Sequence, residues 1–398
     1  MKSIGTRKTK CHRPKNRFFK TYSLSRRLSK KLAHTVGLLV SSVTIGLWIP
    51  QSAIASSLDT IDQLNIFGDS LSDAGNIFTL SQGAFPPSPP YAQKFSNGPL
   101  WVEAIAADLG LSPAISSSAV PSILSGAIAP PADGINYAVA GSFSSDVNVG
   151  GPPLPGLQQQ IATFSALSQA GAPPSSNALH ILLAGGNDYN EAILSATSAA
   201  DLAGLAEQVT NNIVGATSAL FSAGAKNVLV SNLPNLGLQP FADSVNEFNP
   251  QGANILSALS SEHNQLLSQK LAALKSTLLS TDASITEFDL ESITSEIAAN
   301  PSAFGFENAE ESCLTNFQID NTFTGICSDP DKFFFWDDVH PTAAGHAFIA
   351  QAALDALTKS DEPVMPTPDD GATDVPEPAS VLAVAAFGGL LLSIRRRS

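Results

Sequence analysis

Through the middle of the chain, short apolar runs alternate with longer segments whose apolar residues recur at helical spacing. The run 179–184 is almost continuously apolar, which is typical of a strand buried on both faces of a parallel sheet. Apolar runs predict strands at residues 64–68, 134–142, 179–184, 227–230 and 285–289. Helical spacing predicts helices at residues 101–109, 157–170, 200–222, 252–279, 291–299 and 341–357.

This alternation predicts one α/β domain over about residues 56–359. We expect a three-layer α/β/α sandwich with a mainly parallel sheet and helices on both faces. Residues 111–134 are mostly Ser, Ala, Pro and Gly with little periodicity, so they predict a long surface loop. Residues 360–374 are rich in Pro, Asp and Glu and predict a disordered linker.

The amino-terminal segment differs from this domain in composition. Residues 1–34 hold 12 of the 21 Lys and Arg residues and no Asp or Glu, and an apolar run at 36–49 follows. Together with Ala53-Ile54-Ala55, this pattern predicts a secretory signal peptide over residues 1–55, cleaved after Ala55. The alternative is a retained membrane span, for which the apolar run is short.

The carboxyl-terminal segment, residues 375–398, has three parts. Pro376-Glu377-Pro378 comes first, then an apolar run at 381–394, then Arg395-Arg396-Arg397. An apolar run followed by a basic cluster is a stop-transfer pattern, and a plain tail anchor is one interpretation of it. The three-part order also resembles the PEP-CTERM sorting signal. That resemblance implies an exosortase as partner and an exported protein that is periplasmic, at the cell surface or extracellular, or transiently anchored to the inner membrane.

The charge of the chain beyond the predicted signal peptide limits the classes of molecule that it can bind. Beyond the predicted signal peptide, nine basic residues face 35 acidic residues. A surface so acidic repels nucleic acid and anionic membranes, so we expect no nucleic-acid partner.

Two cysteines, Cys313 and Cys327, remain once Cys11 is removed with the signal peptide. An even count in an exported protein predicts one disulfide, with two free thiols as the alternative. No histidine precedes His340 in this region, and no second His/Asp cluster offers further ligands beside Asp337, Asp338 and His340, so we expect no metal. We also expect no other cofactor.

The strand at 64–68 leads directly into Gly68-Asp69-Ser70. In open α/β sheets, ligands and chemistry collect at the carboxyl ends of the strands, so Ser70 is a candidate nucleophile. Asp337 and His340 stand three residues apart. That spacing allows the carboxylate to fold back onto Nδ1 of the imidazole and leave Nε2 free as a base, with a turn-capping histidine as the alternative.

Two further residues follow predicted strand ends. Asn187 comes after two glycines and carries an amide that can donate to an oxyanion, and Gly141 offers an unobstructed backbone N–H. Taken singly, each is better explained as a turn residue. Among the other histidines, we expect His180 to lie in the core, His263 to be exposed to solvent and His346 to pack against neighbouring side chains.

Four sequence blocks resemble those of the GDSL (SGNH-hydrolase) esterases and lipases, in the order of that family. They begin with residues 68–76 (Gly-Asp-Ser-Leu-Ser-Asp-Ala-Gly-Asn) and 136–142 (Asn-Tyr-Ala-Val-Ala-Gly-Ser). Residues 185–188 (Gly-Gly-Asn-Asp) and 337–340 (Asp-Asp-Val-His) complete the set. Ala140 and Ser142 depart from the residues that relatives often have.

The resemblance implies a flavodoxin-like sheet and the hydrolysis of carboxylic esters by a serine nucleophile. It implies that Ser70 attacks, His340 acts as base and Asp337 orients the histidine. The backbone of Ser70, Gly141 and Asn187 would form the oxyanion hole. The segment with Tyr91, Phe95 and Trp101 resembles a larger bacterial branch of phospholipase and hemolysin type, and we expect it to serve in packing.

Three functions are compatible with these residues. The first is a secreted esterase that cleaves lipid or short-chain acyl esters through an acyl-enzyme on Ser70. The second is an O-acetyl esterase that acts on extracellular polysaccharide. The third is a matrix or adhesion protein on an inactive hydrolase scaffold.

Overall fold

The computed structural model describes residues 57–196, 199–279, 281–315 and 322–359. The predicted signal peptide, linker and sorting segment lie outside these residues. No helix within the described residues combines the length and the apolar character needed to cross a bilayer.

The central sheet has six parallel strands. In chain order they are β1 (Gln63–Gly68), β2 (Ala114–Ile115), β3 (Ile135–Asn136), β4 (Ala178–Leu183), β5 (Asn227–Ser231) and β6 (Ser284–Phe288). Their spatial order is β2-β3-β1-β4-β5-β6, so β1 and β4 lie in the middle. Every residue of β4 is buried, as expected for a strand covered on both faces.

Helices cover both faces of this sheet. They are α1 (Asn76–Leu80), α2 (Trp101–Asp108), α3 (Ser116–Leu124), α4 (Leu157–Gln169), α5 (Gly186–Ser195), α6 (Leu205–Ser222), α7 (Pro240–Asn246), α8 (Gly252–Leu278), α9 (Leu290–Ala299) and α10 (Ala343–Lys359). Helices α4, α6 and α8 pack together in one group, and α2, α9 and α10 in another. The predicted three-layer α/β/α sandwich with a parallel sheet is therefore confirmed.

Two small sheets lie outside the central one. Strand β7 (Asn308–Ser312) pairs in parallel with β10 (Phe333–Phe335), and β8 (Leu314–Thr315) pairs in antiparallel fashion with β9 (Gly325–Ile326). These short strands carry the chain toward residues 337–340. The sequence analysis did not predict them, because each is only two to five residues long.

The predicted strand at 134–142 is mostly irregular, which corrects that prediction. Only Ile135–Asn136 pairs as a strand, although the amides of Tyr137 and Val139 still donate to β1. The side chain of Asn76 donates to the carbonyls of Asn136 and Ala138 at 2.9 Å each. A side chain therefore takes the hydrogen bonds that a continuing strand would give to a neighbour.

The predicted surface loop at 111–134 is also wrong in part, because it contains β2 and α3. The Oδ1 atom of Asn76 accepts hydrogen bonds from Ser116 and from the backbone N–H of Ser117. Asn76 therefore accepts hydrogen bonds from the amino-terminal end of α3, although it lies about forty residues earlier in the chain. The local sequence gives no sign of this cap. The last helix begins at Ala343 rather than near Pro341, which bridges to Phe335 instead.

The end of β1 is held by two close contacts. Gly68 has φ +141°, and a Cβ atom there would lie 1.9 Å from the carbonyl oxygen of Leu183, so only glycine fits. The side chain of Gln160 accepts from the Gly68 N–H at 2.9 Å and donates to the Gly68 carbonyl at 2.8 Å. This pinning sets where the chain leaves the sheet, two residues before Ser70.

Packing of the helices and the sheet places several histidines in the interior of the protein. His180 lies in the core, as predicted. His263 was predicted to be solvated, but it is fully buried where α8 packs against α5, with Nδ1 hydrogen-bonded to the hydroxyl of Tyr189 at 2.8 Å. Burial lowers the pKa of His263 to about 3, so the ring is neutral at pH 7.

Candidate active site

The carboxyl edge of the sheet gathers the residues that the sequence singled out. Ser70 follows β1, Gly141 follows β3, and Asn187 lies in the first turn of α5, directly after β4. These three residues and His340 line one cavity of about 380 Å³. The structure therefore brings together side chains that are up to 270 positions apart in the chain.

A continuous hydrogen-bond chain joins Ser70, His340 and Asp337. The Nε2 atom of His340 lies 2.7 Å from Oγ of Ser70. On the other side of the ring, Nδ1 lies 2.8 Å from both carboxylate oxygens of Asp337. Because a carboxylate only accepts, Nδ1 carries the proton in the neutral ring, and Nε2 is left to accept the hydroxyl proton of Ser70.

The loop that carries this pair is folded around Asp337. The Oδ1 atom accepts the backbone N–H groups of Val339 at 3.0 Å and His340 at 2.8 Å. The spacing of three residues thus lets one carboxylate bind both the ring and the backbone of His340. Burial alone would raise the pKa of Asp337. The charge of His340 and the hydrogen bonds from His340, Tyr91 and Val339 outweigh burial and hold that pKa below its usual value.

Tyr91 is a member of the site that the sequence analysis assigned to packing. Its buried hydroxyl donates to Oδ2 of Asp337 at 2.7 Å. The only sequence signal was a concentration of aromatic residues, and nothing local shows that this phenol meets a carboxylate 246 positions away.

Neighbours of Tyr91 contact the same loop, and we call residues 91–97 the clamp segment. The ring of Phe95 lies 4.7 Å from the imidazole of His340, centroid to centroid. Ser96 donates to the carbonyl of Pro341 at 3.0 Å, and Oδ1 of Asn97 accepts the N–H of Ala343 at 2.7 Å, which caps α10. The clamp segment therefore contacts both the ring of His340 and the backbone that follows it.

Three donors at the cavity have hydrogen-bonding capacity to spare. Within the described residues, the backbone N–H groups of Ser70 and Gly141 donate to no acceptor. Asn187 donates through Nδ2 to the carbonyl of Ser142 at 3.0 Å, which orients the amide and leaves its second hydrogen available. An oxygen atom that develops negative charge beside Ser70 would meet N–H groups of this kind.

The loop around Gly141 is held firmly although Ala140 and Ser142 depart from the family pattern. The N–H of Ala140 donates to Oδ2 of Asp73 at 2.9 Å. Ser142 donates to the carbonyl of Pro155 at 2.7 Å and accepts from Nε2 of Gln160 at 2.9 Å. Gly141 itself has φ +78°, a left-handed conformation that glycine adopts readily.

Two buried carboxyl groups, those of Asp69 and Asp73, and the half-buried Asp188 shape the surrounding turns. Asp73 accepts four backbone N–H groups, at 2.5 to 3.0 Å, and Asp69 accepts the N–H of Leu71. Asp188 accepts both the N–H and the hydroxyl of Ser144 at 2.8 Å. Burial raises the pKa of Asp69 and of Asp188 to about 6 each.

The two cysteines Cys313 and Cys327 form a disulfide, with Cα atoms 4.8 Å apart. Cys313 is buried in a small cluster with Tyr91, Phe95 and Trp336, directly behind the clamp segment. Within the described residues, no group of three or more His, Cys, Asp or Glu side chains is arranged to hold a metal ion.

Comparison with known proteins places these features in a family. The profile of the GDSL-like lipase/acylhydrolase family matches residues 64–353. The chain is 28% identical to the thermolabile hemolysin of Vibrio parahaemolyticus, covering 75% of this chain and 64% of that protein. It is 26% identical to the phosphatidylcholine-sterol acyltransferase of Aeromonas hydrophila, covering 75% and 91%.

Two more proteins are similar to this chain. An uncharacterized protein of Pseudomonas putida is 29% identical over 74% of this chain, which spans 48% of that protein. The chain thus spans less than two thirds of the length of this relative and of the hemolysin. Among solved structures, an acetyl xylan esterase covers 74% of this chain and 98% of its own, with 14% identity and a TM-score of 0.33.

The family profile covers most of the chain, and its four sequence blocks surround one cavity. This chain belongs to the GDSL-like lipase/acylhydrolase family.

Proposed function

We propose that this protein hydrolyses carboxylic esters through an acyl-enzyme formed on Ser70. The observation that carries the proposal is the hydrogen-bond chain from Ser70 through His340 to Asp337 beside a cavity with unpaired N–H donors. A serine hydroxyl is a weak nucleophile by itself, and a neighbouring imidazole with a fixed tautomer makes it reactive.

The first half of the reaction forms the acyl-enzyme. Oγ of Ser70 attacks the ester carbonyl while Nε2 of His340 takes its proton, and Asp337 stabilises the resulting imidazolium. The carbonyl oxygen becomes an oxyanion that accepts from the N–H groups of Ser70, Gly141 and Asn187. When the intermediate collapses, the bond to the alcohol oxygen breaks, and Nε2 gives its proton to that oxygen.

The second half releases the acid. Water replaces the alcohol and loses a proton to Nε2 of His340 as its oxygen attacks the acyl carbonyl. The new tetrahedral intermediate collapses, the bond to Oγ of Ser70 breaks, and the proton returns to the serine. The chain is then ready for another ester.

The cavity favours acyl chains longer than acetyl. Its wall beyond Ser70 is formed largely by apolar side chains, among them Ile77, Phe85, Phe95, Ala140 and Leu154. We call this cavity the acyl lobe. An acetyl group would use only a small part of its 380 Å³, whereas each additional buried methylene contributes about 0.8 kcal/mol to binding. This supports esters of longer acids over the O-acetyl alternative.

The proposal also includes export and sorting. It is supported by the composition of residues 1–55 and 375–398 and by the disulfide between Cys313 and Cys327, since such bonds persist in oxidising compartments. An exosortase is the proposed partner for the carboxyl-terminal segment.

The first prediction concerns the nucleophile. Ser70→Ala should lower kcat/KM for p-nitrophenyl butyrate by about 10⁴-fold or more, because no other group can form the acyl-enzyme. A fluorophosphonate probe should label the wild type and not the variant. The matched control, Ser72→Ala in the same turn, should retain both activity and labelling. Folded wild-type protein that neither hydrolyses esters nor takes the label would favour the matrix or adhesion alternative.

The second prediction concerns acyl length. We expect kcat/KM to rise from p-nitrophenyl acetate to the octanoate, and Leu154→Trp to reduce the octanoate-to-acetate ratio by roughly tenfold, since the indole would fill the acyl lobe. The control is Leu279→Trp, at a leucine that is 85% exposed at the end of α8, which should leave the ratio unchanged. Activity on acetate alone would instead support the O-acetyl esterase alternative.

The third prediction concerns Tyr91 as a positioning residue. Tyr91→Phe should lower kcat about tenfold with little change in KM, because a hydrogen bond to a charged group contributes about 1.5–3 kcal/mol. Without this donor, the pKa of Asp337 rises and the carboxylate attracts the imidazole proton more strongly, so the acid-side loss of kcat/KM should move to higher pH.

The control for Tyr91→Phe is Tyr137→Phe, at a buried tyrosine whose ring packs against Phe67 and Phe164, and it should change neither quantity. A lower melting temperature with unchanged kcat and an unchanged pH profile would show that Tyr91 serves only in packing.

The fourth prediction concerns processing. When the full chain is expressed in a bacterial host that has an exosortase, mass spectrometry should find the exported protein beginning at Ser56, with Cys313 and Cys327 oxidised and the carboxyl-terminal segment removed. Replacement of Pro376, Glu377 and Pro378 by alanine should leave that segment in place. Protein that stays reduced in the cytoplasm would contradict this part of the proposal.

A further inference from the structure

A second cavity adjoins the catalytic histidine. It has a volume of about 190 Å³ and is lined by His340 and Asp337, but not by Ser70 or Gly141. Val149, Asn187, Asn190 and Val339 line both this cavity and the acyl lobe, so the two spaces meet at His340. We call the second cavity the polar lobe.

The proposed reaction decides which part of the substrate lies on which side. Nε2 of His340 must return its proton to the leaving oxygen, so the alcohol portion has to lie on the side of the imidazole. The acyl chain extends from the carbon bound to Ser70, next to the apolar wall. The polar lobe is therefore the space available to the alcohol.

We infer that the polar lobe binds the alcohol portion of the ester and selects an uncharged, hydroxyl-bearing alcohol over one that carries a phosphate. The inference rests on the proposed function and names the class of leaving group for that same site. It is carried by the chemistry of the side chains that line the lobe.

Besides the triad residues, the polar part of this lining consists of the carboxylates of Glu191 and Asp338, the amides of Asn187 and Asn190 and the hydroxyl of Ser244. Glu191 is exposed, and no described residue donates a hydrogen bond to its carboxylate. Asn190, which also lines the acyl lobe, has a buried Oδ1 atom without a partner in the described residues. Asp338 is oriented by Ser312, whose hydroxyl donates to Oδ1 at 2.6 Å. Hydroxyl groups of a polyol can donate to such oxygens, whereas a phosphate, which is itself an acceptor, cannot.

Charge works in the same direction. No lysine lines the polar lobe, and the described residues include no arginine. Four of the six lysines in the described residues pair with carboxylates elsewhere: Lys94 with Glu103, Lys226 with Asp282, Lys270 with Glu207 and Lys332 with Glu307. A phosphate in the lobe would face Glu191 and Asp338 with no lysine or arginine beside it, and the charge that His340 acquires during the reaction is already balanced by Asp337. One such repulsion at several ångströms in a partly solvated site corresponds to roughly a tenfold loss in kcat/KM.

The apolar side chains of the lobe complete the fit. Phe241 and Leu194 also line it. The carbon skeleton of a glycerol or a sugar has C–H faces that can pack on such side chains while its hydroxyl groups reach the carboxylates. An uncharged polyol therefore satisfies both kinds of lining.

Two esters that differ only in the phosphate test the inference. They are 1-butyrylglycerol and 1-butyrylglycerol 3-phosphate, with p-nitrophenyl butyrate as the reference for ester hydrolysis itself. We expect wild-type kcat/KM to be at least roughly tenfold higher for the uncharged ester, and the difference to shrink in 0.5 M NaCl because salt screens the repulsion. Equal values for the two esters would overturn the inference.

Two charge reversals locate the effect. Glu191→Lys should reduce the preference for the uncharged ester by roughly tenfold, and Glu191→Gln should reduce it less. The control is Asp108→Lys, which makes the same change in net charge in a groove lined by Leu58 and Asp355, away from the triad. An equal effect of Asp108→Lys would assign the preference to the overall charge and overturn the role of the lobe.

Failure of the inference can be told apart from failure of the proposed function. If only the lobe is wrongly assigned, the wild type still hydrolyses all three esters, Ser70→Ala does not, and Glu191→Lys leaves the ratio unchanged. If the proposed function fails, none of the three esters is hydrolysed by folded wild-type protein.

Discussion

One buried carboxylate, that of Asp337, connects the parts of this molecule on which its chemistry depends. It accepts hydrogen bonds from the imidazole of His340, from two backbone N–H groups and from the hydroxyl of Tyr91. An ionised carboxylate that is almost completely buried is tolerated only with such partners. The need to satisfy this charge therefore holds the histidine, its loop and the clamp segment in one arrangement.

The same arrangement divides the space around His340 in two. The lining next to Ser70 is largely apolar and includes N–H groups without an acceptor in the described residues, whereas the polar lobe adds the carboxylates of Glu191 and Asp338 to apolar side chains such as Phe241. An ester has the matching asymmetry, with a hydrocarbon chain on its carbonyl carbon and an alcohol on its oxygen. In the proposed reaction, this division would let a very acidic protein hold an apolar acyl group and discriminate between leaving groups by charge.

Prediction from the sequence was most successful where the physics is local. Helices α2, α4, α8 and α9 begin and end within about a residue of the predicted positions, because apolar spacing reports which face is buried. The prediction of a strand at 134–142 failed because Asn76, about sixty residues earlier, takes the carbonyls that a strand would use. The prediction for His263 failed because a helix of 27 residues offers no local sign of which turns a neighbouring helix will cover.

The sequence and the tertiary structure determined different features of this site. The sequence by itself determined the α/β class, the order of the four blocks and the residues nominated as nucleophile, base, orienting carboxylate and oxyanion donors. A serine after a buried strand and a carboxylate three residues before a histidine have a chemical meaning at short range, whereas the resemblance of the four blocks to a known family nominated Gly141 and Asn187 as oxyanion donors. Only the tertiary structure decided that Tyr91 donates to Asp337, that Asn97 caps α10, and that the polar lobe adjoins His340. These contacts join residues that are far apart in the chain, and their partners are set by the packing of the whole sheet and its helices rather than by any local pattern.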